Sequence, residues 1–282
     1  MRLLITGAAG MLGQDVVRAA AAAGHEPVGL TRAELDVTDA AAVGAAIRAA
    51  APEVVVNCSA WTDVDGAESA YAAAEAVNAR GAGNVARAAS ASRAWILHIS
   101  TDYVFDGAKR EPYVESDPAG PLSAYGRTKL AGERAVARAA PGRHTIVRSS
   151  WLFGAGGRCF PATVLRLAGE RDEITVVDDQ VGCPTFTGHL AQALVELAGA
   201  PALGIVHVAG GGSCSWYELA RETLAAAGVA GQVARGRTAD LRRAAPRPAY
   251  SVLGSERGAQ APRLPPWREG LAAYLAATVG AR

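Results

Sequence analysis

The sequence has 282 residues, half of them hydrophobic and 20% charged, which excludes wholesale disorder and allows two domains or one large domain with an appendage. Twenty-eight basic residues balance 27 acidic ones for a net charge of +1, so no overall basic excess points to nucleic acid or an anionic membrane. The cysteines Cys58, Cys159, Cys183 and Cys214 form no CxxC pair, which argues against zinc and secreted disulfide frameworks and for a reducing compartment. The apolar start Leu3-Leu4-Ile5 is too short for a signal peptide, and no run of about 18 apolar residues suggests a membrane span. A cytoplasmic protein is expected.

In chain order, short β-rich runs at 2–6, 27–30, 53–58, 95–99, 145–148, 174–177 and 205–208 alternate with longer, alanine-rich stretches. Helices are predicted at 11–24, 40–50 and 125–140. Strand, crossover and strand repeated in this way predict an α/β fold, a Rossmann-like, doubly wound parallel sheet with helices on both faces. Val54-Val55-Val56 and Ile96-Leu97-His98-Ile99 do not alternate, as expected of strands covered on both sides. His98 within such a run reads as a hydrogen-bonded core histidine. After about Phe153 the character changes. Gly154-Ala155-Gly156-Gly157 reads as flexible, 231–266 is rich in Arg, Pro and Gly and reads as irregular, and a last helix begins near Trp267. The expected division is a dinucleotide-binding part at 1–153 and a smaller, loop-rich, mainly substrate-binding part at 154–282, with chain crossing between them.

Thr6-Gly7-Ala8-Ala9-Gly10-Met11-Leu12-Gly13 follows the first strand and opens the first helix. In this GxxGxxG, Gly7 serves a tight turn, Gly10 lets a pyrophosphate approach the backbone, and Gly13 lets helix and strand pack closely. The helix N-terminus adds free N–H groups and a favourable dipole. A plain helix-start turn is the alternative. The second strand ends at Leu30-Thr31-Arg32 without the acid that NAD-preferring sites carry for the ribose hydroxyls; the nearest acids are Glu34 and Asp36. Arg32 either meets the 2′-phosphate of NADPH or is one more surface arginine. Asp36-Val37 would border the adenine.

Tyr125-Gly126-Arg127-Thr128-Lys129 is YxxxK, which on a helix sets phenol and ammonium on one face. A fixed cation favours the phenolate, and so would fit Tyr125 to exchange a proton with a carbonyl or alcohol near neutral pH. A surface Tyr/Lys pair is the alternative, yet Lys109 and Lys129 are the only lysines among the 28 basic residues. Upstream, Ser100-Thr101 stands at the end of the fourth strand, where ligands of such sheets bind and where a hydroxyl would hydrogen-bond a reacting carbonyl. Arg242, Arg243 and Arg247 would either contact a diphosphate or form a solvated loop.

Glycine turn, strand-end Ser/Thr and YxxxK, in this order, resemble the extended short-chain dehydrogenase/reductase superfamily. A closer resemblance lies in Ser100-Thr101-Asp102-Tyr103-Val104-Phe105-Asp106-Gly107, which is similar to the STDYVFDG signature of dTDP-4-dehydrorhamnose reductases. The stretches 62–68 (TDVDGAE), 77–79 (VNA), 148–154 (RSSWLFG), 178–185 (DDQVGCPT) and 247–251 (RPAYS) resemble further motifs of that family. The resemblance implies that Thr101, Tyr125 and Lys129 form a catalytic trio. It implies that Gly7, Gly10, Met11, Leu12, Asp36, Val37, Ser59 and Ala60 line the cofactor, with NADPH preferred and NADH also open. Thr62, Val64, Asp102, Tyr103 and Trp151 would hold a dTDP-sugar. Trp61 departs from the smaller aromatic or His usual there. Some family members bind Mg²⁺ through acidic residues at a dimer interface. Asp15 suits one such position, but its counterpart is His189, which leaves both Mg²⁺ and a homodimer open and gives no expected metal ligand at the site.

The implied reaction is reduction of a dTDP-6-deoxy-4-ketohexose at C4, most simply to dTDP-L-rhamnose. Three rivals stand beside it. A sugar-nucleotide dehydratase needs a Glu directly after the strand-end Thr-Asp, where this chain has Tyr103. A related antibiotic-sugar ketoreductase shares every motif. A non-catalytic NADP-binding regulatory subunit resembles these reductases, and the intact Thr101, Tyr125 and Lys129 argue against it.

Overall fold

The structure, a computed structural model, describes residues 1–278. Its first half alternates as the sequence predicts: β1 (Arg2–Thr6), α1 (Met11–Ala22), β2 (Glu26–Leu30), α2 (Ala40–Ala50) and β3 (Val54–Asn57). Asp39 starts α2 by accepting from the N–H groups of Ala41 and Ala42. Two short helices, α3 (Gly66–Ser69) and α4 (Tyr71–Glu75), lead through a π-helical turn at Ala76–Gly81 into α5 (Ala82–Ala91). Then come β4 (Trp95–Thr101), a 3₁₀ turn at Asp102–Val104, α6 (Ala124–Ala139) and β5 (His144–Ser149). The strand expected at 95–99 therefore continues to Thr101.

The second half holds β6 (Leu152–Phe153), α7 (Phe160–Ala168), β7 (Glu173–Val177), β8 (Val181–Gly182), β9 (Thr185–Phe186) and α8 (Thr187–Gly199). It continues with β10 (Gly204–His207), β11 (Cys214–Ser215), α9 (Trp216–Ala227), β12 (Gln232–Gly236) and α10 (Trp267–Thr278).

Six strands form one parallel sheet in the order β2-β1-β3-β4-β5-β10. Because side chains alternate across a strand, Leu3, Ile5, Val54, Val56 and Leu97 face α1 and α8, against Val16, Leu190 and Leu194. Leu4, Val55 and Ile96 face the other way, against Ile47 of α2, Val85 of α5 and Val136 of α6. Both faces are covered, which is why the central runs are uninterruptedly apolar. The last strand, β10, comes from the second half of the chain and pairs with β5.

Two expectations are corrected. The run at 174–177 stays outside the main sheet. As β7 it pairs in parallel with β12, which lies in the stretch read as irregular. Period-2 apolar pattern marks a strand but carries no information on which strand accepts its hydrogen bonds.

Helix α6 lies against the π-turn at very short range: a methyl group on Gly132 would stand 2.1 Å from the Asn78 carbonyl oxygen. Gly132→Ala is expected to push α6 away from that turn and destabilise the fold by about 1–3 kcal/mol, as overpacking does. Urea unfolding measures this; unchanged stability would contradict the contact.

Candidate active site

Strand building reverses direction at β1, with β2 laid on one side and β3 on the other, and this opens a crevice at the carboxyl ends. A cavity of about 860 Å³ lies there. Its floor is the glycine turn. Gly7 adopts φ +68°, a left-handed conformation that a side chain disfavours. A Cβ on Gly13 would stand 2.3 Å from the Gly7 carbonyl oxygen, so α1 can start this close to the turn only with glycine there. Gly10 precedes α1 with no side-chain cap, and Gly10, Met11 and Leu12 line the cavity. The first N–H groups of α1 are thus left for an anion.

A polar ladder joins the strand ends beside it. The Thr6 hydroxyl donates to Asn57 Oδ1 (2.7 Å), and the Asn57 amide meets His98 Nδ1 (3.1 Å). These residues are register partners on β1, β3 and β4. Asn57 Oδ1 also accepts from the Ser59 N–H (3.2 Å), which sets Ser59 and Ala60 on the cavity wall. Burial holds His98 well below its ordinary pKa, so it is the neutral core histidine the sequence suggests.

At the rim beyond β2, Arg32 and Asp36 are exposed and Val37 is buried, and all three line the cavity. The Asp36 carboxylate accepts from the Thr38 N–H and hydroxyl (2.9 and 2.8 Å), bonds that lower its pKa. In the segment read as flexible, 154–157, Gly154 is buried while Ala155 and Gly157 are exposed. Gln14 Nε2 donates to the Gly156 carbonyl (3.1 Å) and to the Ala9 carbonyl (2.8 Å), tying that segment to the glycine turn.

The other end of the cavity brings Thr101, Tyr125 and Lys129 together. Ser123 caps α6 by accepting from the Gly126 N–H (3.1 Å), and Glu68 accepts from the Ala124 N–H (2.7 Å). These fix the helix start that carries Tyr125. Lys129 Nζ donates to the Ile99 carbonyl (2.6 Å) at the end of β4. Burial pushes the Tyr125 phenol up to about 12, against a smaller opposing effect of the Thr101 hydroxyl. The expected shift towards phenolate is therefore corrected: burial is the largest influence on Tyr125, and its phenol is held above its ordinary range, not below it. Burial likewise presses Lys129 down to about 8, with Glu133 opposing.

Thr101 Oγ1 donates to Asp102 Oδ1 (3.1 Å) and accepts from the Tyr103 N–H (3.2 Å). Asp102 is buried, and burial pushes its carboxyl up to about 6 although Ser251 donates to it at 2.5 Å. Tyr103 meets Tyr125 edge-on, with ring centroids 6.0 Å apart.

The side towards solvent holds Thr62, Val64 and Trp151. Asn78 clamps the backbone of Trp61 at both ends, accepting from its N–H (2.8 Å) and donating to its carbonyl (3.1 Å), and also donates to Thr128 on α6 (3.0 Å). Arg247 forms a two-pronged ion pair with Asp65 (3.0 and 2.8 Å), and Arg243 joins it at 3.2 Å. These arginines thus tie a loop to the 62–68 motif; they hold Asp65 well below the usual carboxylate range.

Trp151 has φ +47° and stacks face to face on Trp216, with centroids 3.6 Å apart. Sequence reasoning missed Trp216, Arg158 and Ser149, all of which line the cavity. The signal for Trp216 was present as Ser215-x-x-Glu218, a capping box that starts α9 with tryptophan in its first turn. Asp15 pairs with Arg18 on α1, and His189 of α8 meets Phe186 of β9 edge-on. Among the described residues, no group of three or more His, Cys, Asp or Glu side chains is placed to hold a metal ion, and no helix is long and apolar enough to cross a membrane.

Residues 1–279 match the family described as RmlD substrate binding domain. A dTDP-4-dehydrorhamnose reductase of Mycolicibacterium smegmatis is 46% identical over 99% of this chain and 86% of its own length. A probable dTDP-4,6-dihydroxy-2-methyloxan-3-one 4-ketoreductase of Streptomyces antibioticus is 44% identical over 96% of this chain and 93% of its own. Among solved structures, dTDP-4-dehydrorhamnose reductase from Bacillus anthracis in complex with NADP is similar with a TM-score of 0.95 and 36% identity, covering 98% of this chain and 99% of that one.

The raised Asp102 carboxyl has a consequence for stability. Its folded pKa of about 6 exceeds the ordinary 3.8, so the folded state binds this proton more tightly. The contribution is full below about pH 4 and is lost as pH rises through about 6, a span worth on the order of 3 kcal/mol. Asp102→Asn removes the titration. Its stability relative to wild type is expected to improve between pH 4 and pH 7 by up to about that amount in urea unfolding. A difference independent of pH would contradict the burial-driven shift.

Proposed function

This chain belongs to the dTDP-4-dehydrorhamnose reductase family, and from that premise we propose that it reduces the C4 ketone of a dTDP-linked 6-deoxy-4-ketohexose with NADPH, converting dTDP-4-dehydro-L-rhamnose to dTDP-L-rhamnose. The observation that carries the reading is that one continuous cavity runs from the glycine turn to Thr101, Tyr125 and Lys129 and on to Trp151.

The residues fit a dinucleotide. The turn has no room for a Cβ at Gly13, and the uncapped start of α1 suits a pyrophosphate held by Gly7, Gly10, Met11 and Leu12. Arg32 would meet the 2′-phosphate, Asp36 and Val37 the adenine side, and Ser59 and Ala60 the path towards the nicotinamide. When bound, NADPH supplies the hydride. Thr101 orients the sugar carbonyl by hydrogen bonding, and Tyr125 gives its proton to the alkoxide oxygen as it forms. A phenol held near 12 arrives protonated at neutral pH, which suits a donor. Lys129, anchored on the Ile99 carbonyl, holds the nicotinamide ribose and stabilises the phenolate that the proton transfer leaves. Thr62, Val64, Asp102, Tyr103 and Trp151 hold the sugar nucleotide, and the stacked Trp151–Trp216 wall excludes water.

In this reading residues 1–153 carry the cofactor and the proton-transfer groups, and 154–282 mainly shape the substrate side. Four free cysteines agree with a cytoplasmic setting. The Streptomyces antibioticus relative favours a second reading, reduction of an antibiotic-pathway dTDP-4-ketosugar, with the same residues in the same roles.

Purified protein with NADPH and dTDP-4-dehydrorhamnose is expected to lose NADPH absorbance and form dTDP-L-rhamnose. No NADPH oxidation with this or any related dTDP-4-ketosugar would support a regulatory NADP-binding subunit instead. Tyr125→Phe keeps the ring and removes the proton, so kcat and kcat/KM are expected to fall about 10²–10⁴-fold with fold and NADPH affinity intact. Turnover within about threefold of wild type would remove Tyr125 as the donor.

Arg32→Ala is expected to raise KM for NADPH and leave KM for NADH near wild type. Equal changes for both cofactors would show that Arg32 does not read the 2′-phosphate.

A further inference from the structure

We propose that Glu133, through its buried fork with Arg148 and its hydrogen bond from Ser100, is the positioning residue that locks α6 to the ends of β4 and β5 and holds the Lys129 ammonium in its charged, working place. The inference rests on the reading of Lys129 given above.

Glu133 follows Lys129 by one helical turn on the same face of α6, and Lys129, Glu133, Arg148 and Ser100 are all buried. Arg148 Nε and Nη2 donate to the two Glu133 oxygens (2.9 and 2.7 Å), the bidentate geometry that makes such pairs directional. The Ser100 hydroxyl donates to Glu133 Oε1 at 2.5 Å. Ser100 is the register partner of Arg148 across β4 and β5. It also sits between Ile99, whose carbonyl receives Lys129 Nζ, and Thr101. One carboxylate thereby sets the distance between the helix that carries Tyr125 and Lys129 and the strand end that carries Thr101.

Arg148 is held from its far side as well. Its guanidinium lies 5.1 Å from the Phe105 ring centroid, and Nη1 approaches His207 Nε2 at 3.5 Å. A buried ion pair is a poor device for stability alone, since apolar residues of similar volume do as well. Its placement directly behind the candidate catalytic lysine gives it another use.

The groups facing Lys129 are few. Cys58 at the end of β3 is pushed up to about 12 by burial, and Tyr125, one turn back on α6, also titrates near 12. His98 of β4 is kept neutral by burial. Glu133 is the negative charge that opposes desolvation of Lys129. Between pH 7 and 10 the titrating group in this set is thus Lys129 itself, at about 8.

The test is the pH profile of kcat/KM for NADPH at saturating ketosugar, which reports groups of the cofactor-free enzyme. Wild type is expected to lose activity above about pH 8 as Lys129 gives up its proton. Glu133→Gln keeps the acceptor for Ser100 and removes the charge. Its alkaline limb is expected to move down by about one pH unit or more. A merely structural role would lower the melting temperature and leave the limb where it was, and that result in a folded variant overturns the proposal.

Glu133→Gln leaves Arg148 buried without its partner, which can prevent folding. The paired variant Glu133→Gln with Arg148→Met removes both charges and settles the matter in the same way: a lowered limb supports the proposal, an unmoved limb refutes it. Wild-type protein that turns over no ketosugar at any pH would instead sink the catalytic reading of Lys129, so the two failures are distinct.

Discussion

All six strands of the main sheet run in one direction, so all their carboxyl ends meet at one edge. Covering both faces with helices leaves that edge as the place where backbone and polar side chains can face a ligand. The reversal between β1 and β3 makes the opening, because the crossovers on the two sides depart in opposite directions. Thr6, Asn57 and His98 keep the strand ends level there through hydrogen bonds between register partners. Every other element of the site is aimed at this opening.

Helix α6 must then be held against the strand ends with its tyrosine and lysine turned inward. Five polar contacts do this: Ser123 and Glu68 with the N–H groups at its start, Asn78 with Thr128, and Ser100 and Arg148 each with Glu133. The resulting burial has opposite effects on acids and bases. It pushes Tyr125 up to about 12 and Asp102 up to about 6, and presses Lys129 down to about 8, because in each case the charged form loses its water. A raised phenol and a lowered ammonium on one face of α6 are what the proposed proton transfer rests on.

The second half holds four α-helices, and only the stretch between β12 and α10 is poor in regular structure. Arg247 grips Asp65, and Ser251 donates to Asp102, so a stretch with few strands or helices closes over the strand end. The Trp151–Trp216 stack joins the turn after β5 to the start of α9. Trp151 keeps an uncommon positive φ to make that stack, a strain of the kind that gathers at ligand sites.

What the sequence determined by itself was local. Uninterrupted apolar runs identified β1, β3 and β4; the glycine turn, YxxxK and the strand-end Thr101 were legible because each is a short pattern whose geometry follows from strand or helix period. Every residue those patterns and the resemblance singled out for cofactor, sugar or proton transfer lines one cavity. Tertiary structure decided the rest. Which strand β7 pairs with, that Gly156 is tied to the glycine turn through Gln14, that Arg243 and Arg247 serve Asp65, and that Trp216 faces the cavity all depend on contacts between residues far apart in the chain. The direction of the Tyr125 shift also waited for the fold: spacing sets lysine and tyrosine on one helix face, but the burial that raises the phenol depends on what packs around it.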